Sequence, residues 1–162
     1  MYRRRRRSSY RMLVWVLLAI GAFWIWNVWS SRSGGAEHSE PYEAVRNFWA
    51  HESLGDFGSS WELFHSQMKE RFSKDSYIQR RAHVFMQDFG ANTFEYEIGR
   101  EELLPTWRMS EEQPQLENVY RIPVTLRYDN SYFGQFEIRQ VCYVAKEAEQ
   151  WTILWAYQPF YK

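Results

Sequence analysis

At 162 residues, with the first 40 or so unlike the rest, the chain has room for about one domain of ordinary size. The formal net charge of zero conceals an asymmetry: seven of the twenty basic residues precede the first acidic residue, Glu37, which leaves 13 basic against 20 acidic from Ser33 onward, or minus seven. A folded part of that sign argues against electrostatic nucleic-acid binding, and a single cysteine, Cys142, excludes an internal disulfide and a cysteine-based zinc site.

Residues 1–11 form a basic tail containing Arg3, Arg4, Arg5, Arg6, Arg7 and Arg11. Met12 to Trp29 (MLVWVLLAIGAFWIWNVW) then runs eighteen residues without a charge. At about 1.5 Å per residue such a helix spans roughly 27 Å, close to the hydrocarbon thickness of a bilayer. Trp24, Trp26 and Trp29 cluster at one end, and Tyr10 and Trp15 lie near the other, as amphipathic rings do at the two interfaces. The flanking arginines predict that the N-terminus stays in the cytoplasm and that the chain after the span is extracytoplasmic. A cleaved signal peptide is the rival reading. It would call for a shorter apolar core and small residues at a cleavage site, where this chain offers Gly34-Gly35-Ala36 after a bulky Trp end.

Residues 30–40 (SSRSGGAEHSE) have the small, polar composition of a flexible tether, which places the folded domain at 41–162. Ser39 is the expected cap of a first helix, with Glu40, Pro41 and Glu43 in its first turn and Tyr42, Val45, Phe48 or Trp49, and Ala50 as its apolar face. Gly55-Asp56-Phe57-Gly58 breaks the chain, and Asp56 suits the cap of the next helix. A second helical stretch is expected after Ser59 or Ser60, with Trp61, Leu63, Phe64 and Met68 as its contacts. Ser73 caps a third, carrying Ile78, Ala82, Phe85 and Met86, and Gly90-Ala91-Asn92 ends the helical half.

Beyond Asn92 the apolar period changes to two: Phe94, Tyr96, Ile98; then Tyr120, Ile122, Val124, Leu126, Tyr128; then Phe136, Ile138, Cys142, Val144. Asp129-Asn130-Ser131 is a turn between two of these strands, and Trp151 to Tyr157 is a more enclosed strand. Pro123 lacks an amide hydrogen, which predicts an edge or a bulge there. About three helices followed by antiparallel strands predict an α+β domain, its helices on one face of a curved sheet.

The first helix ending in Leu54-Gly55-Asp56-Phe57, a helix opening with Trp61-Glu62-Leu63-Phe64, another after Arg71-Phe72-Ser73 containing Tyr77, and then long antiparallel strands together resemble the nuclear-transport-factor-two-like superfamily. The resemblance covers roughly Glu40 to Phe160 and implies a cone-shaped fold with the sheet wrapped around helices. It implies little about activity, because that fold hosts isomerases, dehydratases, transport factors and non-catalytic modules. As a tethered domain the chain is also similar to the small N-terminal module of some penicillin-binding transpeptidases and to extracytoplasmic parts of secretion machines. No transpeptidase domain follows in this sequence, so that activity does not carry over.

The chain has no metal-ligand spacing among His38, His51, His65 and His83, no nucleophile elbow, and no phosphate or dinucleotide loop. Cys142 alternates with core residues, so it reads as a small buried residue. Catalytic members of the superfamily place a carboxylate or histidine, often with tyrosine, inside the cone; by position the candidates here are Tyr77, His83, Asp88, Tyr120 and Tyr128. The pairs Arg80-Arg81, Glu101-Glu102 and Glu111-Glu112 read as solvated, and Leu103 to Pro114, with Trp107 and Met109, as a strand or an apolar contact for a partner. The expectation is a membrane-anchored extracytoplasmic binding or scaffold module of a bacterial envelope, without cofactor or metal. Its expected partners are the bilayer and another envelope protein or a second copy of itself. The alternatives are a small cone-pocket enzyme and an oligomerising structural subunit.

Overall fold

A computed structural model describes residues 38–90, 93–130 and 134–157, apart from the side chains of Met86 and Asp88. The expected span from Met12 to Trp29 and most of the expected tether lie outside these residues. Among the described residues no helix is long and apolar enough to cross a membrane.

The helical half starts where expected. Helix α1 (Glu40–Ser53) is capped by Ser39, whose hydroxyl accepts from the Tyr42 amide at 3.3 Å, and Pro41 and two acids sit in its first turn. Its buried face carries Val45, Phe48, Trp49 and Glu52. The chain leaves α1 through Gly55, whose φ of +74° is strained for other residues. Helix α2 (Phe57–Glu62) begins earlier than the sequence suggested, because the Asp56 carboxylate accepts from the Ser59 amide at 3.1 Å and so starts the helix at Phe57.

The second helical stretch is divided in two. After α2, Leu63 closes the last turn in helical conformation, and Phe64 forms a parallel bridge with strand residue Ile153: the Ile153 amide donates to Leu63 at 2.9 Å and the His65 amide donates to Ile153 at 3.1 Å. Helix α3 (Ser66–Arg71) follows, and α4 (Lys74–Ala82), capped by Ser73, runs on into a π-helical turn at His83–Asp88. Gly90, at φ +57°, closes the half.

Among the described residues the other half is one antiparallel sheet: β1 (Glu95–Ile98), β2 (Glu102–Trp107), β3 (Leu116–Asn130), β4 (Gly134–Glu147) and β5 (Gln150–Leu154). β1 and β2 lie end to end along one side of β3, with β4 and then β5 on the other. The fold is therefore α+β, helices first and packed on the sheet. Helix α1 crosses that sheet: the Trp151 indole donates to Glu40 at 2.8 Å from β5, Trp49 donates to the Cys142 sulfur of β4 at 3.3 Å, and Thr93, just before β1, donates to the Ser53 carbonyl at 2.9 Å.

Pro123 sits in the middle of β3, so it does not mark an edge. It marks a bulge. Ile98 faces Val124 and Glu102 faces Arg121, so the three residues Gly99 to Glu101 stand opposite Ile122 and Pro123. The Gly99 amide donates to the Pro123 carbonyl at 2.8 Å, so the side of Pro123 that lacks a donor faces the bulge, where no ladder bond is missing. This bulge separates β1 from β2.

Both faces of the sheet are buried toward β5. Ile122, Cys142, Val144 and Ile153 face the helices, whereas Ala145, Thr152 and Leu154 alternate to the other side and are buried as well. Trp107 helps cover that second side by stacking on Tyr143 with ring centres 4.2 Å apart, and Met109 is only 2% exposed. Leu103 to Pro114 thus contributes Trp107 and Met109 to the domain itself, leaving Leu103 as its exposed large apolar residue.

Gly99→Ala tests the bulge. A Cβ there would lie 2.9 Å from the Pro123 ring and 3.2 Å from its carbonyl oxygen, and both are held by β3. The expected loss is about 1–3 kcal/mol in urea unfolding, whereas Gly134→Ala, in open space at positive φ, should cost only about 1 kcal/mol.

Candidate functional site

The most polar feature of the interior is assembled from three helices around Glu52. This residue occupies a position on the apolar face of α1, one turn after Phe48 and Trp49, and is 1% exposed. A carboxylate carried there by helical phase must find donors inside the protein. Ser60 of α2 and Tyr77 of α4 both donate to Oε1, the tyrosine at 2.7 Å, and Arg81 of α4 donates to Oε2 through Nε at 2.7 Å and through Nη2. The two oxygens offer about four acceptor positions, and four donor groups reach them.

Arg81 is itself enclosed, its side chain 15% exposed. Its guanidinium lies 4.4 Å from the Phe85 ring centre, with Trp155 and Tyr77 near 6 Å. Burial works against its charge, but Glu52 together with Tyr77 and Tyr128 outweighs that cost and raises its proton affinity above the ordinary arginine value. Burial, followed by the Glu52 charge, also pushes the Tyr77 hydroxyl well above its usual range, so it acts as a donor and not as a phenolate.

Around this pair stands a continuous aromatic cluster. Phe64 meets Tyr77 and Trp155 edge to face at 5.0 and 5.2 Å, and Phe85 stacks on Phe57 and Phe94 at 5.6 and 5.2 Å. Cys142 lies beneath α1, fully buried, with its thiol pushed up to about 12 by burial. It is a core residue, as its alternation implied.

Of the five residues singled out by position, the structure brings Tyr77 and Tyr128 to this region. Tyr77 bonds Glu52 directly. Tyr128, 2% exposed, packs on Phe85 at 5.6 Å, and burial raises its hydroxyl in the same way. His83 opens the π-helical turn and is exposed, and Tyr120 stands against Trp151 at 5.5 Å, away from the ring cluster. The side chain of Asp88 lies outside the described residues. Positional reasoning missed Glu52, Ser60 and Arg81. A signal was present for the first, since Val45, Phe48 or Trp49, and Glu52 continue one helical stripe. Arg81, expected on a solvated surface with Arg80, lies four residues after Tyr77 and turns inward with it, whereas Arg80 is exposed.

A second polar grouping lies where α3 meets the sheet. His65 is 6% exposed, and its Nδ1 accepts from the Gln67 amide at 3.2 Å, capping α3. Glu147 of β4 accepts from the Ser66 amide at 3.1 Å, and its other oxygen lies 3.9 Å from His65 Nε2. Burial holds the histidine below its ordinary value against the pull of Glu147. Burial alone would raise Glu147, but the Ser66 hydroxyl and amide, with His65 and Lys69, bring it below the usual carboxylate value.

Two surface grooves accompany these clusters. One, of about 710 Å³, runs along α1 past Ala44, Asn47, Ala50 and Leu63 to Trp151. The other, of about 530 Å³, lies beside Phe94, Tyr128 and Phe136. Neither is lined by Glu52 or Arg81. Among the described residues no three His, Cys, Asp or Glu side chains converge in a way that could hold a metal ion.

The Glu52–Arg81 pair generates a double-mutant test. Glu52→Gln or Arg81→Met alone strands one half of a buried ion pair and should cost about 3–5 kcal/mol in denaturant unfolding. The double variant should lose distinctly less than the sum of the two, and strictly additive losses would show the pair to be uncoupled.

No protein-family model matches the chain, and no curated protein is detectably similar to it in sequence, so its function is read from the residues themselves.

Proposed function

We propose that this chain is a single-pass membrane protein whose N-terminus is cytoplasmic and whose folded domain is an extracytoplasmic binding or scaffold module of a bacterial envelope, with no reaction of its own. The observation that carries the address is the uncharged run from Met12 to Trp29 preceded by six arginines in eleven residues. An eighteen-residue apolar segment with interfacial tryptophans at its end suits an uncleaved anchor better than a signal peptide. The dense group of basic residues beside the span lies on its N-terminal side, which is the side the cytoplasm retains.

The non-catalytic part of the proposal rests on Glu52. General acid–base chemistry needs a carboxylate or histidine facing a space that a substrate can enter. Glu52 has its acceptor positions occupied by Ser60, Tyr77 and Arg81, which suits a cross-link between helices. We further propose that the helices and sheet form the cone-shaped arrangement of the nuclear-transport-factor-two-like superfamily, with an aromatic interior in place of an open pocket. A partner in the envelope then meets the outer surface, where among the described residues Leu54 and Leu103 are the exposed large apolar side chains, at 80% and 51%.

Reporter fusions at the C-terminus test the address. Alkaline phosphatase fused after Lys162 should be active, and a fluorescent protein that matures only in the cytoplasm should stay dark. The opposite pair of results would refute the orientation. Carbonate-resistant membrane association with an unprocessed N-terminal mass is expected, and release of a shortened chain would replace the anchor with a cleaved signal.

A further inference from the structure

β5 is closed by β4 on one side and only partly covered on the other. It pairs residue by residue with β4 from Gln150 to Leu154, and the backbone groups of Ile153 turn away from β4 to meet Leu63 and His65 at 2.9 and 3.1 Å. Leu63 to His65 form a strap fixed by more than those two bonds, because Phe64 at its centre is 0% exposed and packs on Phe48, Tyr77 and Trp155. Backbone groups two residues apart on a strand point the same way, so the N–H and C=O of Trp151 also leave β4, and among the described residues neither meets a partner. The strap stops short of them. Its Leu63 lines the groove of about 710 Å³ that lies between Trp151 and α1.

That groove combines an edge strand that has a free donor and acceptor, an apolar lining and a charge, the features by which a sheet edge takes up an extended peptide. Ala44 and Ala50 of α1 are small and half-buried, and Leu63 and Trp151 add larger apolar surface. The Trp151 indole donates to Glu40 at 2.8 Å, which ties the first turn of α1 to β5 and holds the two walls in place before anything binds. Of the charged residues in the lining, Glu43 and Arg46 pair with each other, whereas Glu40 meets no cation among the described residues. We infer that this groove docks an extended basic peptide segment of another protein, added as a strand along β5 through the N–H and C=O of Trp151, with small apolar side chains on Ala44 and Ala50 and a lysine or arginine against Glu40.

The inference rests on the reading of the domain as a binding module and is independent of the side of the membrane on which it stands. Charge decides between occupants. From Ser33 onward the chain carries minus seven, so a second copy would bring its own negative surface to an acidic edge, whereas a basic segment is attracted to it. The far side of the sheet offers no equivalent place, because the bulge at Gly99 to Glu101 separates β1 from β2 and Pro105 removes a donor within β2. Side chains of an extended peptide alternate, so those that face α1 recur at every second residue and the others point to solvent.

Selection from a displayed library of short random peptides, with the full chain in detergent as bait, tests this. Selected peptides should be rich in lysine and arginine and should shift the Trp151 amide by NMR. They should fail to bind Ala50→Arg, whose side chain fills the groove, and lose about threefold in affinity for Glu40→Gln, which keeps an acceptor for the indole and removes the charge. N-methylation of the one peptide amide that donates to Trp151 should cost about tenfold, while methylation of its two neighbours, which point away from β5, should cost little. The methylation series uses the unaltered protein, so it decides the matter should Ala50→Arg fail to fold. Peptides that bind folded Ala50→Arg undiminished, or that tolerate methylation at every amide, would overturn the docking. Peptides that map to Leu54 or Leu103 would overturn it and leave the binding-module reading standing, and a library that yields no binder counts against both. A dimer of the full chain that Ala50→Arg dissociates would put a second copy in the groove and overturn the peptide.

Discussion

A carboxylate placed on the apolar face of a helix imposes a constraint that several other elements satisfy. Glu52 cannot face solvent while Phe48 and Trp49, one turn earlier, are buried against the sheet. The folded state therefore depends on donors arriving from α2 and α4, and Ser60, Tyr77 and Arg81 arrive there. An ion pair in such a place is not a large net source of stability, because removing both charges from water costs about as much as their attraction returns. Its consequence is geometric. Three helices of 14, 6 and 9 residues, each short for independent stability, are tied in one arrangement. The rings of Phe85, Tyr77 and Trp155 then close over the guanidinium.

The sheet solves a different problem, that of its own edges. β3 and β4 form a long hairpin, and its two sides are completed by short pieces: β1 and β2 on one, β5 on the other. On the β1–β2 side the bulge at Gly99 to Glu101 interrupts the edge at the level of Pro123, and Pro105 within β2 removes a further donor. On the β5 side the strap from Leu63 to His65 takes up the backbone groups of Ile153. Each side is thus limited by a device of its own, a bulge with prolines on one and a covering segment on the other.

These two halves bear on function in opposite ways. The helix-facing side of the sheet is packed with rings and with a carboxylate whose acceptor positions are taken, the feature on which the proposed non-catalytic role rests. The segment read as either a strand or an apolar contact for a partner is a strand as far as Trp107, which stacks on Tyr143, and Met109 is buried, so that Leu103 and Leu54 are the exposed large apolar groups among the described residues.

Local patterns in the chain determined the order and type of the elements, because capping and periodicity act over a few residues. Ser39, Asp56 and Ser73 each accept from the amide three residues on, as their side chains dictate, and the change of period near Asn92 marks the passage from helix to sheet. The charge asymmetry and the apolar run from Met12 to Trp29 are likewise legible without a fold, and they carry the proposed address. Tertiary structure alone decided the rest. The division of the second helical stretch at Leu63 to His65 depends on Ile153, almost ninety residues away, and the choice of bulge over edge at Pro123 depends on where β1 and β2 lie. The inward turn of Arg81 beside an exposed Arg80 depends on a carboxylate in another helix. In each case the deciding partner is distant in sequence, and a burial cost that only the folded state imposes selects which residue meets it.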